Sequence, residues 1–151
     1  GYKIAIGAGS STHNLRGTTV QLEDVKSYKK AWKDAGHEGE PTTVVRIPTL
    51  LADTKEEAER LSDELMVLAR HYFNGRIGIG STDAGSASPD TTEEVNLFGT
   101  AEDVVEKIEV LREQYGTDEI MFEVNWTSSV PRDVVTNSVR ILSDKVIPKF
   151  K

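Results

Sequence analysis

Short apolar runs alternate with segments of helical periodicity along most of the chain. Apolar and β-branched residues over 2–6, 43–47 and 119–125 predict three β-strands, and Pro48 is expected to end regular pairing of the second strand. The order of elements is strand, helix, strand, helix, loop, helix, strand, helix. Because strands that alternate with helices form a parallel sheet covered by those helices, the predicted fold class is α/β.

The helices are marked by capping pairs at their starts and by apolar positions three and four residues apart. Thr54 with Glu57 and Thr100 with Asp103 match the capping box, in which each side chain satisfies an unpaired backbone N–H of the first turn. The spacing predicts that these side chains face the core: Val25, Tyr28, Trp32, Ala35, Ala58, Leu61, Leu65, Leu68, Ala69, Val104, Ile108, Leu111, Val135, Val139, Leu142 and Val146.

Residues 74–90 differ from the rest of the chain, which reads as a single domain over 1–151. Gly, Ser, Asp and Pro predominate in them and predict a flexible loop or an insertion. Three parallel strands would leave two open edges, whereas parallel strands are normally buried on both faces. The pattern therefore predicts that the chain is part of a larger sheet.

Composition and charge exclude several classes of function. The 151 residues carry a formal net charge of -7 with a pI of about 5.0, which is unfavourable for binding nucleic acid or an anionic membrane. The chain has no cysteine, so disulfides, thiolate catalysis and cysteine zinc sites are excluded, and no other metal site is expected. With no apolar run long enough to span a membrane and no leader pattern, the expected location is the cytoplasm.

Four stretches resemble the C-terminal part of the bacterial-luciferase-like flavin monooxygenase family. They are "YKKAWKDAGHEGEP", "VVRIPTLLADTKEEAE", "FGTAEDVVEKIEVLREQYGTDEIMFEVN" and "SVRILSDKVIPKF". They occur in the family's order and cover most of the chain outside the Gly/Ser-rich segment. The resemblance implies a partial (β/α)8 TIM barrel that contributes the last three parallel strands with their helices.

The resemblance also implies a function for the parent protein. Members of the resembled family are oxidoreductases in which reduced FMN and oxygen act on a small organic substrate, and some relatives use a deazaflavin. Most flavin-holding groups of the family lie on earlier strands, so this chain is expected to bind no flavin alone and to be an inactive fragment. The alternative is a stand-alone α/β association module that oligomerises through its open sheet edges. A homo-oligomer is expected in either case.

The first candidate site follows the first strand, because barrel active sites lie at the carboxyl ends of the strands. In "GAGSSTHN", Ser10, Ser11 and Thr12 are candidates for holding an anionic cofactor group, and His13 is a candidate proton carrier. An ordinary tight turn with a solvated histidine explains the same residues.

The second candidate site lies on the other two strands. Strand alternation places Met121, Glu123 and Asn125 on one face of the last strand, and Arg46 lies near the end of the second. We predict an ion pair between Arg46 and Glu123 inside the barrel, either as a structural tie or as a group facing flavin or substrate. Asn125 and Trp126 are predicted to wall the substrate pocket.

Overall fold

All strand pairs of the sheet are parallel in the computed structural model, which describes residues 4–7, 18–65, 96–125 and 130–151. The elements in chain order are β1 (Ile4–Gly7), α1 (Thr18–Asp34), β2 (Thr43–Leu51), α2 (residues 55–65), β3 (Leu97–Gly99), α3 (Ala101–Tyr115), β4 (Glu119–Glu123) and α4 (Arg132–Ile141). After α4 the chain continues as a π-helix (Leu142–Val146) and a 3-10 helix (Ile147–Phe150).

The long strand β2 lies at the centre of the sheet. It pairs with β1 over its first residues and with β4 from Val44 to Pro48, so β1, β2 and β4 form the three parallel strands that the sequence predicts. The short strand β3 is an addition to that prediction and pairs with the last residues of β2, from Thr49 to Leu51. A strand of this length is too short for its periodicity to be read from the sequence.

The prediction that Pro48 ends regular pairing is wrong. β2 continues to Leu51, and Pro48 lies in register with Glu123 of β4. Proline removes one backbone N–H, and successive residues of a strand direct their backbone groups to opposite neighbours, so only one side of the ladder loses a donor. Pro48 instead marks the residue at which β2 exchanges β4 for β3 as its described pairing partner.

One face of the sheet is covered by α3 and the C-terminal helices. The predicted inward residues Val104, Ile108 and Leu111 of α3 are buried there, against Val45 and Ile47 of β2. Ile120, Phe122 and Val124 pack on the same cluster, which confirms the predicted alternation in β4. A second cluster surrounds Leu50 and Phe98 at the carboxyl end of β2, where it joins α2 to the start of α4: Ala52, Ala58, Leu61, Leu65 and Val130.

The capping box of α3 is confirmed, whereas at α2 only the threonine half of the predicted box forms. Thr54 Oγ1 accepts a hydrogen bond from the Glu57 N–H at 3.2 Å. At the start of α3, Thr100 Oγ1 accepts from the Asp103 N–H, and the Asp103 carboxylate accepts from the Thr100 N–H at 2.9 Å. Gly99 precedes this box with φ of +150°, and a β-carbon there would lie 2.7 Å from the Asp103 Cβ. The close approach of chain and cap therefore requires glycine.

The predicted core face of α4 contains one wrong residue. Val139 is 48% exposed, and the neighbouring Ser138 is buried in its place, with 1% exposure. The Ser138 hydroxyl accepts a hydrogen bond from the Leu51 N–H at 3.0 Å and donates to the Leu51 carbonyl at 3.1 Å. These bonds let a polar residue occupy the buried position, because they satisfy both backbone groups at the end of β2.

Trp32 is not the core residue that helical spacing predicts. It is only half-buried at the end of α1, where its ring centroid lies 4.5 Å from that of His37 and 6.2 Å from that of Tyr28. Its indole N–H donates to the Gly39 carbonyl at 3.1 Å. The amphipathic indole ring packs over the end of α1, and one edge of the ring stays near water.

Candidate functional site

The side of the sheet opposite α3 carries the predicted site residues. Arg46 of β2 is the single exposed residue in a strand that is otherwise buried, and Met121 beside it in register is 51% exposed. Glu123 follows Met121 at the next alternate position, and Asn125 lies in the turn just after β4. We call the surface formed by Arg46, Met121 and Glu123 the open face. In a closed (β/α)8 barrel the side opposite the helices is the barrel interior, and its carboxyl end holds the active site.

The predicted ion pair between Arg46 and Glu123 is confirmed. Arg46 Nε lies 3.4 Å from Glu123 Oε1, and the side chains are 45% and 22% exposed. Glu123 stands in register with Pro48, two residues beyond Arg46, so the two charges meet diagonally across neighbouring strands. At this exposure the pair contributes about 0–1 kcal/mol to stability. Its catalytic or cofactor-facing role stays a prediction.

The ion pair leaves hydrogen-bonding capacity on both partners. Glu123 Oε2 is buried and has no hydrogen-bond partner among the described residues. On Arg46 the contact is made by Nε, and within the same ranges no other residue pairs with its terminal nitrogens. A guanidinium carries donors on all three nitrogens. Arg46 can therefore donate to a ligand on the open face while Glu123 holds it.

Asn125 has a structural contact that the sequence did not predict. Its side-chain oxygen accepts a hydrogen bond from the Val130 N–H at 3.2 Å and so joins the end of β4 to the residue before α4. Its predicted place in a substrate pocket stays a prediction. The other candidates lie outside the described residues: Ser10, Ser11, Thr12, His13 and Trp126.

A second polar cluster, missed in the sequence, lies just beyond β2. Arg140 of α4 donates to both carboxylate oxygens of Asp53 at 3.0 and 2.8 Å, and Asn137 donates to the same carboxylate at 3.3 Å. Hydrogen bonds from Arg140 and then Asn137 lower the pKa of Asp53 below its usual range. The cluster is exposed and links the loop after β2 to α4. In the sequence, the one signal that could have indicated this cluster was an acidic residue, Asp53, shortly after β2.

The described strands do not fit the phosphate of FMN. Arg46 is the one cation in the described strands, and Glu123 already neutralises it. Lys107, half-buried on α3, donates to the Phe98 carbonyl at 2.9 Å, and its burial lowers its pKa. A phosphate needs clustered cations or several free backbone N–H groups. The open face offers neither among the residues described, and is suited instead to an uncharged ring or substrate.

The described residues lack two further features, a membrane-spanning helix and a metal-binding group. None of their helices is both long enough and apolar enough to cross a membrane. In the same residues no group of three or more histidines and carboxylates is arranged to hold a metal ion.

Comparison with solved structures finds matches over almost the whole chain. Monooxygenase RslO1 from Streptomyces bottropensis is 16% identical with a TM-score of 0.72, over 99% of this chain and 42% of its own. The oxygenating constituent of 3,6-diketocamphane monooxygenase from Pseudomonas putida, a type II Baeyer-Villiger monooxygenase in complex with FMN, is 23% identical with a TM-score of 0.62, over 97% and 48%. The coenzyme F420 dependent tetrahydromethanopterin reductase from Methanopyrus kandleri is 18% identical with a TM-score of 0.57, over 97% and 45%. No family model and no curated protein matches the chain.

These matches confirm the fold recognised from the sequence. The chain is α/β and has the architecture of part of a luciferase-like (β/α)8 barrel, as found in flavin- and deazaflavin-dependent oxidoreductases. It spans less than half the length of each of the three structures.

Proposed function

We propose that this chain is part of a luciferase-like monooxygenase, in which reduced FMN and oxygen act on a small organic substrate bound against the open face. One observation carries the proposal: a chain similar over 99% of its length to a monooxygenase presents the Arg46–Glu123 ion pair on the side of its sheet opposite α3. A deazaflavin in place of FMN is the variant that the reductase likeness supports.

The proposal divides the work between the cofactor and these residues. When bound, reduced FMN would supply the two electrons with which oxygen is activated, because the cofactor carries the redox chemistry in such enzymes. The described strands supply a wall that excludes water and a polar group, Arg46, that orients substrate. Groups that hold the flavin phosphate lie outside the described residues under this proposal, so the 151 residues alone bind FMN weakly and are inactive.

Flavin titration tests this proposal on two proteins. One is the 151-residue chain, and the other is the product of the whole open reading frame that encodes it. We expect the longer product to quench FMN fluorescence or to bind F420. The isolated chain should do neither. The proposal would be overturned by a longer product that binds neither cofactor. It would also be overturned if the reading frame encodes no further strand–helix units and the 151-residue chain binds no flavin.

The open edges of the sheet favour a second function, a stand-alone module that associates with a second copy. Within the described ranges β1 and β4 each pair only with β2, so one side of each strand has unpaired backbone groups. Light scattering after gel filtration tests this function. A monomer at high concentration would exclude the association module, and a homo-oligomer without flavin binding would favour it. A cytoplasmic location is part of both proposals.

A further inference from the structure

We infer that the outward sides of α3 and α4 form a self-association surface, on which α3 of one copy contacts α4 of a second copy. The inference goes beyond the proposed function, because it concerns the outside of the helices and requires no flavin. It also differs from association through the sheet edges. The argument depends on which way the two sides point, on their opposite charges and on the spacing of their side chains.

Both sides point directly away from the sheet. In a helix, residues two positions apart lie on roughly opposite sides. Glu106 is two positions from Val104 and from Ile108, which are buried in the core cluster under α3, and Thr136 is two positions from the buried Ser138. In a closed barrel the neighbours of a helix lie beside it and the strands beneath it, so further strand–helix units leave these sides exposed.

The two helices carry opposite charges. α3 has five acidic and two basic residues, whereas residues 130–151 have five basic and two acidic residues in a chain whose net charge is -7. The exposed side of α3 carries a row that we call the acidic stripe: Glu102, Glu106, Glu109 and Glu113. None of these carboxylates forms an ion pair with a described residue. The stripe is therefore available to a cationic partner surface.

α4 presents two guanidinium groups around an open depression on its exposed side. The depression is lined by Arg132, Asp133, Thr136, Asn137 and Arg140. Arg132 forms no ion pair within the described ranges, and Arg140 uses Nε and Nη2 for its bonds to Asn137 and Asp53, which leaves Nη1 without a described partner. The depression can therefore take carboxylates, which match the geometry of a guanidinium.

The spacing of the charges agrees between the two helices. Arg132 and Arg140 are eight positions apart, which corresponds to about 12 Å along the axis of α4. Glu102 and Glu109 are seven positions apart, or about 10.5 Å along the axis of α3. Long side chains accommodate the difference of about 1.5 Å, which is the rise of one residue. Both arginines of one copy can therefore meet carboxylates of the other at the same time.

An exposed valine lies at the same level on each helix. Val110 follows Glu102 by eight positions and is 44% exposed, and Val139 follows Arg132 by seven positions and is 48% exposed. When the charges are in register, the two valines meet and remove apolar surface from water. This contact accounts for the exposed valine where the sequence predicts a buried residue of α4.

A second copy of the chain satisfies both helices at once. α3 and the C-terminal helices pack side by side on the same core cluster. A two-fold axis that runs between α3 and α4 places α3 of each copy over α4 of the other, so every contact forms twice. Such an interface is self-complementary and closes as a dimer.

Charge reversal tests the inference in the product of the whole open reading frame, by sedimentation at low salt. Arg132→Glu should weaken self-association about tenfold, because two exposed ion pairs of the dimer become repulsive contacts. A variant with Glu102→Arg and Glu106→Arg should be weakened to a similar extent. An equal mixture of the two variants should associate as tightly as wild type, since every contact again joins opposite charges. All three substitutions in one chain should restore the homodimer in the same way.

Arg60→Glu and Glu64→Arg are matched controls, because these residues form an exposed ion pair at 2.8 Å on α2 and the chemical changes are the same. Both should leave self-association unchanged, and circular dichroism establishes that each variant is folded. The inference would be overturned by a wild-type protein that is monomeric at about 1 mM, the weak end of specific binding. Association that Arg132→Glu leaves unchanged would assign it to the sheet edges instead. A mixture that associates no better than its separate variants would also refute the inference, and none of these results depends on flavin binding.

Discussion

Replacing Ser138 by alanine tests whether α4 is joined to the sheet by a hydroxyl group rather than by packing alone. Ser138 is 1% exposed, and its Oγ bonds both the N–H and the carbonyl of Leu51, which is itself fully buried. The substitution removes one small atom and leaves two backbone groups at the end of β2 without partners. The expected consequence is a large loss of stability from a nearly isosteric change.

The magnitude follows from those two groups. Each buried backbone group left unpaired costs about 1–3 kcal/mol, and alanine's better helix propensity recovers about 0.5 kcal/mol. We expect the free energy of unfolding to fall by about 1.5–5.5 kcal/mol, a substantial part of the roughly 5–15 kcal/mol that stabilises an ordinary domain.

Urea unfolding measures this loss as a lower midpoint at an unchanged slope. Ser143→Ala is the matched control, because Ser143 is exposed shortly after the end of α4 and the chemical change is the same. Amide hydrogen exchange of Leu51 should accelerate only in the Ser138 variant. A loss under about 0.5 kcal/mol, the size of an ordinary surface substitution, with Leu51 still protected, would refute the reasoning.

Two further predictions concern the start of α3. Gly99→Ala should lower the free energy of unfolding by about 1–3 kcal/mol, because its β-carbon meets the Asp103 Cβ at 2.7 Å and its φ of +150° is unfavourable for a side chain. Gly36→Ala, with φ of +73° and nothing within 4 Å, should cost only about 1 kcal/mol in the same urea-unfolding assay, and equal losses would contradict the steric argument. Hydrogen bonds from the Thr100 backbone and hydroxyl lower the pKa of Asp103, so its carboxylate stabilises the fold above its unfolded pKa of about 3.9 and stops doing so as the pH falls through the lower folded pKa. Asp103→Asn should therefore be less stable than wild type at pH 7 and approach it below about pH 4, whereas a difference that acid leaves unchanged would refute the assignment.

The sequence predicts the features that depend on local chemistry or on a regular period. The Thr100–Asp103 box needs only residues three apart, and the alternation of β4 follows from the geometry of a strand. The Arg46–Glu123 pair could also be predicted, because the order of elements makes β2 and β4 parallel neighbours and alternation then places both charges on one side.

The features that the sequence does not predict depend on distant partners or on very short segments. Ser138 is buried because of Leu51, which lies 87 positions away along the chain, and a hydrophobic pattern favours Val139 instead. β3 is three residues long, which is too short to show a period. The Asp53–Arg140 contact likewise joins residues 87 positions apart. The unused donors of Arg46 depend on which guanidinium nitrogen Glu123 contacts, and a sequence does not specify that.

The close return of the chain beside β2 has a consequence for evolution. The Ala52 N–H donates to the Gly99 carbonyl at 3.2 Å, so the stretch between them departs and comes back at adjacent points. Closing a longer loop between fixed ends is inexpensive, at about 0.6 kcal/mol for each doubling of its length. Natural variation can therefore lengthen that stretch at low cost, provided that α2 keeps its packing against Leu50 and β3 its pairing with β2. Related chains are expected to differ in length there first.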